Sequence, residues 1–510
     1  MRSPKSILNL TAILVNRRTT CSLFLCFQKE ILYNKGTEVI YMNKPNYQEA
    51  RVRTKNKVNV RHYEIEESAK QVGIGKKYYL RTYGCQMNEH DSENICAMLE
   101  QMGFTETNDV KDADLVLLNT CSIRENAHNK AYGMLGRLKH MKATKKDLIV
   151  GLCGCMAQEE GVVNTILAKY KWVNFVFGTH NLDKLPEIIT KAIEENKQNI
   201  DVVSEEGDVV EDIPVKRAST IKAYVNIIYG CDKFCTYCIV PYTRGKQRSR
   251  RHQDILKEVN ELKDEGYQEV TLLGQNVNAY GKDLDDNYGM EDLLEDVAKT
   301  GIPRIRFVTS HPWDFTDRMI EVIAKYPNIM KSVHLPVQSG SSRILKLMGR
   351  RYTKEEYISL FDKLRKIPNM HISTDIIVGF PGETEEDFEE TLELAKYCKF
   401  DNAYTFIFSE REGTPACKLP NKVPEEVKEE RLQRLNAVMN QYFLESNQKL
   451  LDKEFDVLVD GKNETGKTSL SGYLENNKLI NFDGPDELVG KIVKVKVTEA
   501  KTWSLNGKLV

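Results

Sequence analysis

The chain has 510 residues, 41% of them apolar and 29% charged, and a formal net charge of −1. That length exceeds one compact core and predicts two to four domains at roughly 100–200 residues each. The near-neutral balance excludes a polycation, so nucleic-acid contact would need a local patch; with no apolar run near the roughly 18 residues of a membrane span, no membrane partner is expected.

Residues 1–76 read as a poorly ordered extension. The patches SILNLTAILV and CSLFLCF are interrupted by Arg17 and Arg18, and no small-residue cleavage site follows, so they fit a signal peptide poorly. KPNYQEARVRTKNKVNVRHYEIEES is polar and lacks a core period. Met42 reads as a candidate true start, with the preceding residues as translated leader. A chain this large and lysine-rich, with twelve cysteines, suits a reducing, cytoplasmic setting in which clustered thiols bind metal or do chemistry.

From Lys77 the texture changes. KYYLRTYGC, ADLVLLNTC and LIVGLCGC are apolar, strand-like runs ending at Cys85, Cys121 and Cys155, with helical segments between them. This predicts an N-terminal parallel α/β domain over residues 77–195. Ligands in such sheets gather at the carboxyl ends of strands, so the three cysteines should converge although far apart in sequence. Cys153, two residues before Cys155 and on the same strand face, is a rival ligand. An acidic linker, residues 196–216, follows.

Over residues 217–446 six candidate strands, KAYVNIIYG, EVTLLGQN, RIRFVTS, SVHLPVQ, MHISTDIIVGF and NAYTFIF, alternate with helical patterns. Thr384 and Asp387 form a capping box for one of these helices. The series predicts a partial (β/α)6 barrel. Residues 447–510 read as short strands of a small antiparallel β-barrel carrying ten basic and ten acidic residues. Within it GKNETGKT, Gly461–Thr468, matches a phosphate-loop pattern, but no helical period follows, and a hairpin turn is the better reading.

Directly after the first barrel strand stands GCDKFCTYCIVPYTRGKQRSR. Cys231, Cys235 and Cys238 can hold an iron–sulfur cluster through three irons, leaving the fourth open for a substrate or cofactor. Structural zinc would need a fourth ligand, and His252, beyond the basic run, is the nearby candidate. The other cysteines, Cys21, Cys26, Cys96, Cys398 and Cys417, lack partners at motif spacing. Gln275, Asn276, Gln338 and Ser339, with Asp375, fall at barrel strand ends, where they could line a cofactor pocket or simply form turns.

These motifs resemble the radical S-adenosylmethionine enzymes. TYGCQMNEHDSE, NTCSIRENA, GCMAQ, LLGQNVNAYG, TSHP, HLPVQSGSSRILKLMGRRYT and DIIVGFPGETEEDF extend the resemblance to the tRNA methylthiotransferases, in particular the branch acting on N6-dimethylallyladenosine. LINF and SLNGKLV resemble a TRAM domain, an RNA-binding barrel; the likeness spans roughly residues 77–510. In the ribosomal-protein branch a proline tends to follow the first ligand cysteine, where this chain has Gln86.

The resemblance implies two 4Fe-4S clusters. One, on Cys231, Cys235 and Cys238, would bind S-adenosylmethionine and release a 5′-deoxyadenosyl radical that takes the C2 hydrogen of the adenine. The other, on Cys85, Cys121 and Cys155, would hold the sulfur to be inserted, and the family pattern selects Cys155 over Cys153. Arg244, Lys246, Arg248, Arg250 and Arg251 would meet tRNA phosphates, the alternative being a solvated loop. The implied partners are tRNA carrying N6-dimethylallyladenosine and a low-potential electron donor, and a monomer is expected. The alternatives are the threonylcarbamoyl-adenosine branch and a non-catalytic iron–sulfur protein that binds RNA.

Overall fold

The computed structural model describes residues 41–48, 59–195, 197–204, 207–463 and 468–510. The readings made for residues 1–40 lie outside the described residues. The N-terminal region is built on strands β1 (Tyr41–Asn43), β3 (Lys77–Tyr83), β4 (Thr105–Glu106), β5 (Leu115–Thr120), β6 (Ile149–Cys153), β7 (Phe175–Phe177) and β8 (Asn199–Asp201), with β2 being Val60–His62 and β9 Val209–Glu211. The sheet runs β1-β8-β7-β6-β5-β3-β4 and its pairs are parallel. Every residue of β5 is buried, as a central strand covered on both faces requires.

Helices α1 (Gln86–Gln101), α2 (Glu125–Thr144), α3 (Glu160–Lys169) and α4 (Leu185–Glu195) supply the covering layers. One face packs Leu118, Val150 and Leu152 with Leu135 and Val163; the other packs Leu117, Phe175 and Cys153 with Ile95 and Ile189. Two strands, β1 and β2, thus lie within the span expected to be a loose extension, residues 1–76. β1 pairs with β8 at the sheet edge, and β2 pairs with β9 beyond the expected linker's start. Their partners lie well over a hundred residues downstream, and the short strands carry no period of their own.

The central region carries β10 (Lys222–Asn226), β11 (Ile228–Tyr229), β12 (Arg248–Ser249), β13 (Glu269–Leu273), β14 (Arg304–Phe307), β15 (Ser332–His334), β16 (His371–Val378) and β17 (Asn402–Ile407). Two parallel ladders, β10-β13-β14 and β15-β16-β17, follow chain order, and a parallel bridge between Ile305 and Ile329 joins them. The six expected strands thus form a partial barrel. Helices α5 (His252–Asp264), α6 (Met290–Lys299), α7 (Asp317–Lys325), α8 (Lys354–Arg365), α9 (Glu385–Cys398) and α10 (Glu425–Gln448) pack outside it. The α9 box forms as expected: Asp387 N–H donates to Thr384 Oγ1 at 3.4 Å and Thr384 N–H to Asp387 Oδ2 at 2.8 Å.

The C-terminal strands β18 (Glu454–Lys462), β19 (Leu470–Leu474), β20 (Leu479–Phe482), β21 (Ile492–Ala500) and β22 (Leu505–Leu509) close a barrel in the order β18-β19-β20-β22-β21. β18 and β19 pair antiparallel, so GKNETGKT spans a hairpin connection; residues 464–467 of it lie outside the described residues. This barrel seats against the underside of the central one. The Arg304 guanidinium of β14 donates to Tyr473 O at 2.8 Å and to Asp456 O at 2.7 Å.

Candidate functional site

The register β3-β5-β6 sets Tyr83 opposite Thr120 and Asn119 opposite Cys153, so the carboxyl ends of these strands are level. Cys85 caps α1, Cys121 follows β5 directly, and Cys155 opens the short turn Cys155–Gln158. A buried amide network fixes them. Asn119 Nδ2 donates to Asn88 O at 2.8 Å and to Ser92 Oγ at 2.9 Å, and Asn88 Nδ2 donates to Asn119 Oδ1 at 3.1 Å. Gly154, at φ 88°, has to be glycine, because a Cβ there would stand 2.3 Å from Asn119 Oδ1.

The hydrogen bond from Cys121 holds the Cys85 thiol down to about 6, helped by the Arg244 charge and opposed by burial; Cys121, sharing its proton, is pushed up. Burial raises Cys155, and the adjacent Arg244 guanidinium opposes that rise. Cys153 differs in kind. Its side chain belongs to the apolar cluster of Ile95, Leu117 and Phe175, where burial raises its thiol.

The second set sits on the loop after β11. Gly230, at φ 69°, turns the chain where a Cβ would meet Lys246 O at 2.1 Å. Cys231 N–H donates to Gly245 O at 3.1 Å, Lys233 N–H to Cys231 Sγ at 3.4 Å, and Cys238 N–H to Cys235 O at 3.0 Å. Thr236 N–H donates to Met348 O at 2.9 Å, which pins the loop to the segment before Arg350. Arg350 is 6% exposed; its Nη1 lies 3.7 Å from Cys235 Sγ, and its Nη2 donates to Pro336 O at 2.6 Å. Arg350 was not singled out in sequence, although GRRYT, a basic pair after a glycine, was the available signal. Burial pushes the Cys231 thiol up to about 12 and Cys238 also upward.

Cys85, Cys121, Cys231, Cys235 and Cys238 line one cavity of about 1690 Å³, and Cys155, which is buried, does not line it. Among the described residues no three His, Cys, Asp or Glu side chains converge on a single metal ion. The six thiols are free of disulfides, and N–H donors reach sulfurs in both sets.

Of the five expected pocket residues, Gln275, Gln338 and Asp375 line this cavity. Gln275 Oε1 accepts from Gly230 N–H at 2.5 Å, and Asp375 Oδ2 lies 3.4 Å from His334 Nε2. Asn276 and Ser339 do not line it. Asn276 Nδ2 instead donates to the buried Asp314 at 2.7 Å, and Ser339 Oγ accepts from Ser341 N–H at 3.2 Å within its own turn. Both stand on turns beyond the ends of β13 and β15 and are buried against protein rather than facing the cavity.

The expected phosphate-contacting run needs a larger correction. Arg244, Arg248 and Arg250 are buried. Arg244 pairs with Asp91, Arg250 with Glu211 at 2.6 Å and Glu258 at 2.7 Å, and Arg248 Nη1 donates to Gly207 O at 2.8 Å. A buried guanidinium is costly unless its charge and N–H groups find partners, so these three, partnered within the protein, hold the N-terminal and central regions together rather than facing phosphate. Arg251 is exposed and Lys246 half-buried.

Family models match along the chain: the radical SAM superfamily over residues 225–395, uncharacterized protein family UPF0004 over residues 77–178, and the TRAM domain over residues 448–510. A relative in Bacillus subtilis, named tRNA-2-methylthio-N(6)-dimethylallyladenosine synthase, is 54% identical over 94% of this chain and 94% of its own length. Another of the same name in Halalkalibacterium halodurans is 52% identical over 94% of this chain and 90% of its own length. With three domain models in this order and identity of that extent, the chain belongs to the radical SAM methylthiotransferases, in the family of the tRNA-2-methylthio-N(6)-dimethylallyladenosine synthases.

Proposed function

We propose that this protein inserts sulfur at C2 of N6-dimethylallyladenosine in tRNA and methylates it, using S-adenosylmethionine and a low-potential electron donor. The observation that supports this reading is that five of the six expected ligand cysteines, Cys85 and Cys121 from one set and Cys231, Cys235 and Cys238 from the other, line one cavity. Three protein thiolates per set suit two 4Fe-4S clusters, each with an iron free of protein ligands. Such a cluster, once bound, supplies a coordination position and, on the central set, an electron for S-adenosylmethionine.

The chain's own residues do the rest. The Lys233 N–H donates to Cys231 Sγ and opposes the burial that raises this thiol, and the Arg350 guanidinium lies beside Cys235 Sγ. Gln275 fixes the Gly230 turn, while Gln338 and Asp375 offer an acceptor and a carboxylate to the polar groups of S-adenosylmethionine. The C-terminal barrel, matched by the TRAM model, extends the protein surface for tRNA beside the cavity.

The threonylcarbamoyl branch is disfavoured by the names of the relatives, and a non-catalytic role by the open position in each set. The test is release of 5′-deoxyadenosine from S-adenosylmethionine by the anaerobically reconstituted protein with a chemical reductant. Release that disappears on replacing Cys231, Cys235 and Cys238 by Ala is expected. No release from fully iron-loaded protein would contradict the reading.

A further inference from the structure

We infer that Arg244 is a positioning residue that ties the two cysteine sets together and sets the reduction potential of the group held by Cys85, Cys121 and Cys155. The inference rests on that ligand set, proposed above. Arg244 follows the helical turn Val240–Thr243, six residues after Cys238, and its amide donates to Val240 O at 2.8 Å. Its guanidinium is 5% exposed as a residue and crosses into the N-terminal region. There Nη2 pairs with Asp91 Oδ2 at 2.5 Å, Nη1 stands 3.4 Å from Oδ1, and Nε donates to Cys155 Sγ at 3.2 Å.

Each end of this connection is anchored beside a cysteine. Asp91 lies on α1, the helix that Cys85 caps. The neighbouring Gly245, at φ 72°, offers its carbonyl to the Cys231 amide at 3.1 Å. The Arg244 carbonyl accepts from Arg248 Nη2 at 3.2 Å, and Thr243 O accepts from Thr179 Oγ1 at 2.5 Å. Two adjacent residues therefore span from the Cys231 backbone to the Cys155 sulfur, through a side chain whose planar fork leaves little freedom.

Asp91 takes one edge of the fork and orients Nε–H toward sulfur. An N–H bonded to a ligand sulfur withdraws electron density, which raises the potential of an iron–sulfur group; second-shell donors of this kind tune metal sites. Arginine keeps its proton at any working pH, so this donor is permanent. A lysine preserves the charge but not the fork, and a glutamine loses the charge.

The test uses the full chain, anaerobically reconstituted, with Arg244→Lys and Arg244→Gln. Iron content and a redox titration followed by electron paramagnetic resonance are read for both cysteine sets, with Cys231→Ala/Cys235→Ala/Cys238→Ala protein assigning the N-terminal signal. The expected result is a more negative midpoint for the N-terminal group, with the other group's midpoint unchanged. Iron lost from the N-terminal group alone, while the other group stays loaded, also supports the inference. Unchanged midpoints in both variants, or loss of iron from both sets together, would overturn it and leave Arg244 a packing residue. Retention of full iron by Cys85→Ser/Cys121→Ser/Cys155→Ser would instead overturn the ligand assignment itself.

Discussion

Cys153 and Cys155 are two residues apart and chemically identical, yet their surroundings give them different work. Cys153 is packed among Ile95, Leu117 and Phe175, whereas Cys155 sits 3.2 Å from a guanidinium donor. Cys153→Ala should cost about 1 kcal/mol, the loss of one small apolar group, and leave iron content unchanged. Cys155→Ala should lose about half the iron, one cluster of two. Iron analysis with a melting curve on each variant checks this; the reverse pattern would exchange the two roles. Arg250 carries a second expectation at this scale. Its removal strands the buried Glu211, while Glu258 keeps Arg217, so Arg250→Ala should cost roughly 3–5 kcal/mol, read as a lower melting temperature. Melting within a degree or so of the parent would show that the pairs are dispensable. The cysteines could be read in sequence because strand ends and local spacing mark them. The arginines could not, because Asp91, Glu211 and Glu258, which bury them, come from three other elements.

The elements were legible where the pattern was long. The strands of both barrels and the α9 capping box follow the apolar alternation and end signals of the chain. β1 and β2, three residues each, have no such pattern and are fixed by pairing with β8 and β9 far down the chain. The orientations of Asn276 and Ser339 escaped for a related reason: a turn rich in polar residues does not say which of them faces the lumen. The start of β17 gives a pH prediction. Burial pushes the Asp401 carboxyl up, but His371, Arg365 and Lys478 around it hold it down to about 2. The folded value thus lies below the unfolded value of roughly 4. The stabilisation is complete above that value and is lost as pH falls toward about 2, amounting to about 2.5 kcal/mol. Asp401→Asn should be less stable at neutral pH and converge on the parent in acid, as melting curves across that range would register. A constant gap between the two proteins would remove the carboxylate from the account.

At the scale of the molecule, three regions enclose one reaction space. The N-terminal sheet and the central barrel bring their strand ends to a common cavity, and the C-terminal barrel closes the opposite side through Arg304, Asn447 and Lys478. All six cysteines precede that last contact in the chain. Removing residues 449–510 should therefore leave iron content intact, weaken tRNA binding and lower the melting temperature, since Arg304 loses its carbonyl partners. Iron analysis, binding isotherms and melting of the shortened protein separate these effects. Loss of iron on truncation would make the barrel part of cluster assembly.

The most direct test of the central claim is mass analysis of nucleosides from tRNA carrying N6-dimethylallyladenosine. That tRNA is incubated anaerobically with the iron-loaded protein, S-adenosylmethionine, a sulfide source and a reductant. The account predicts the 2-methylthio derivative of N6-dimethylallyladenosine, absent when Cys231, Cys235 and Cys238, or Cys85, Cys121 and Cys155, are replaced. Unmodified N6-dimethylallyladenosine after incubation with protein that cleaves S-adenosylmethionine, or product from either cysteine-replaced protein, would contradict it.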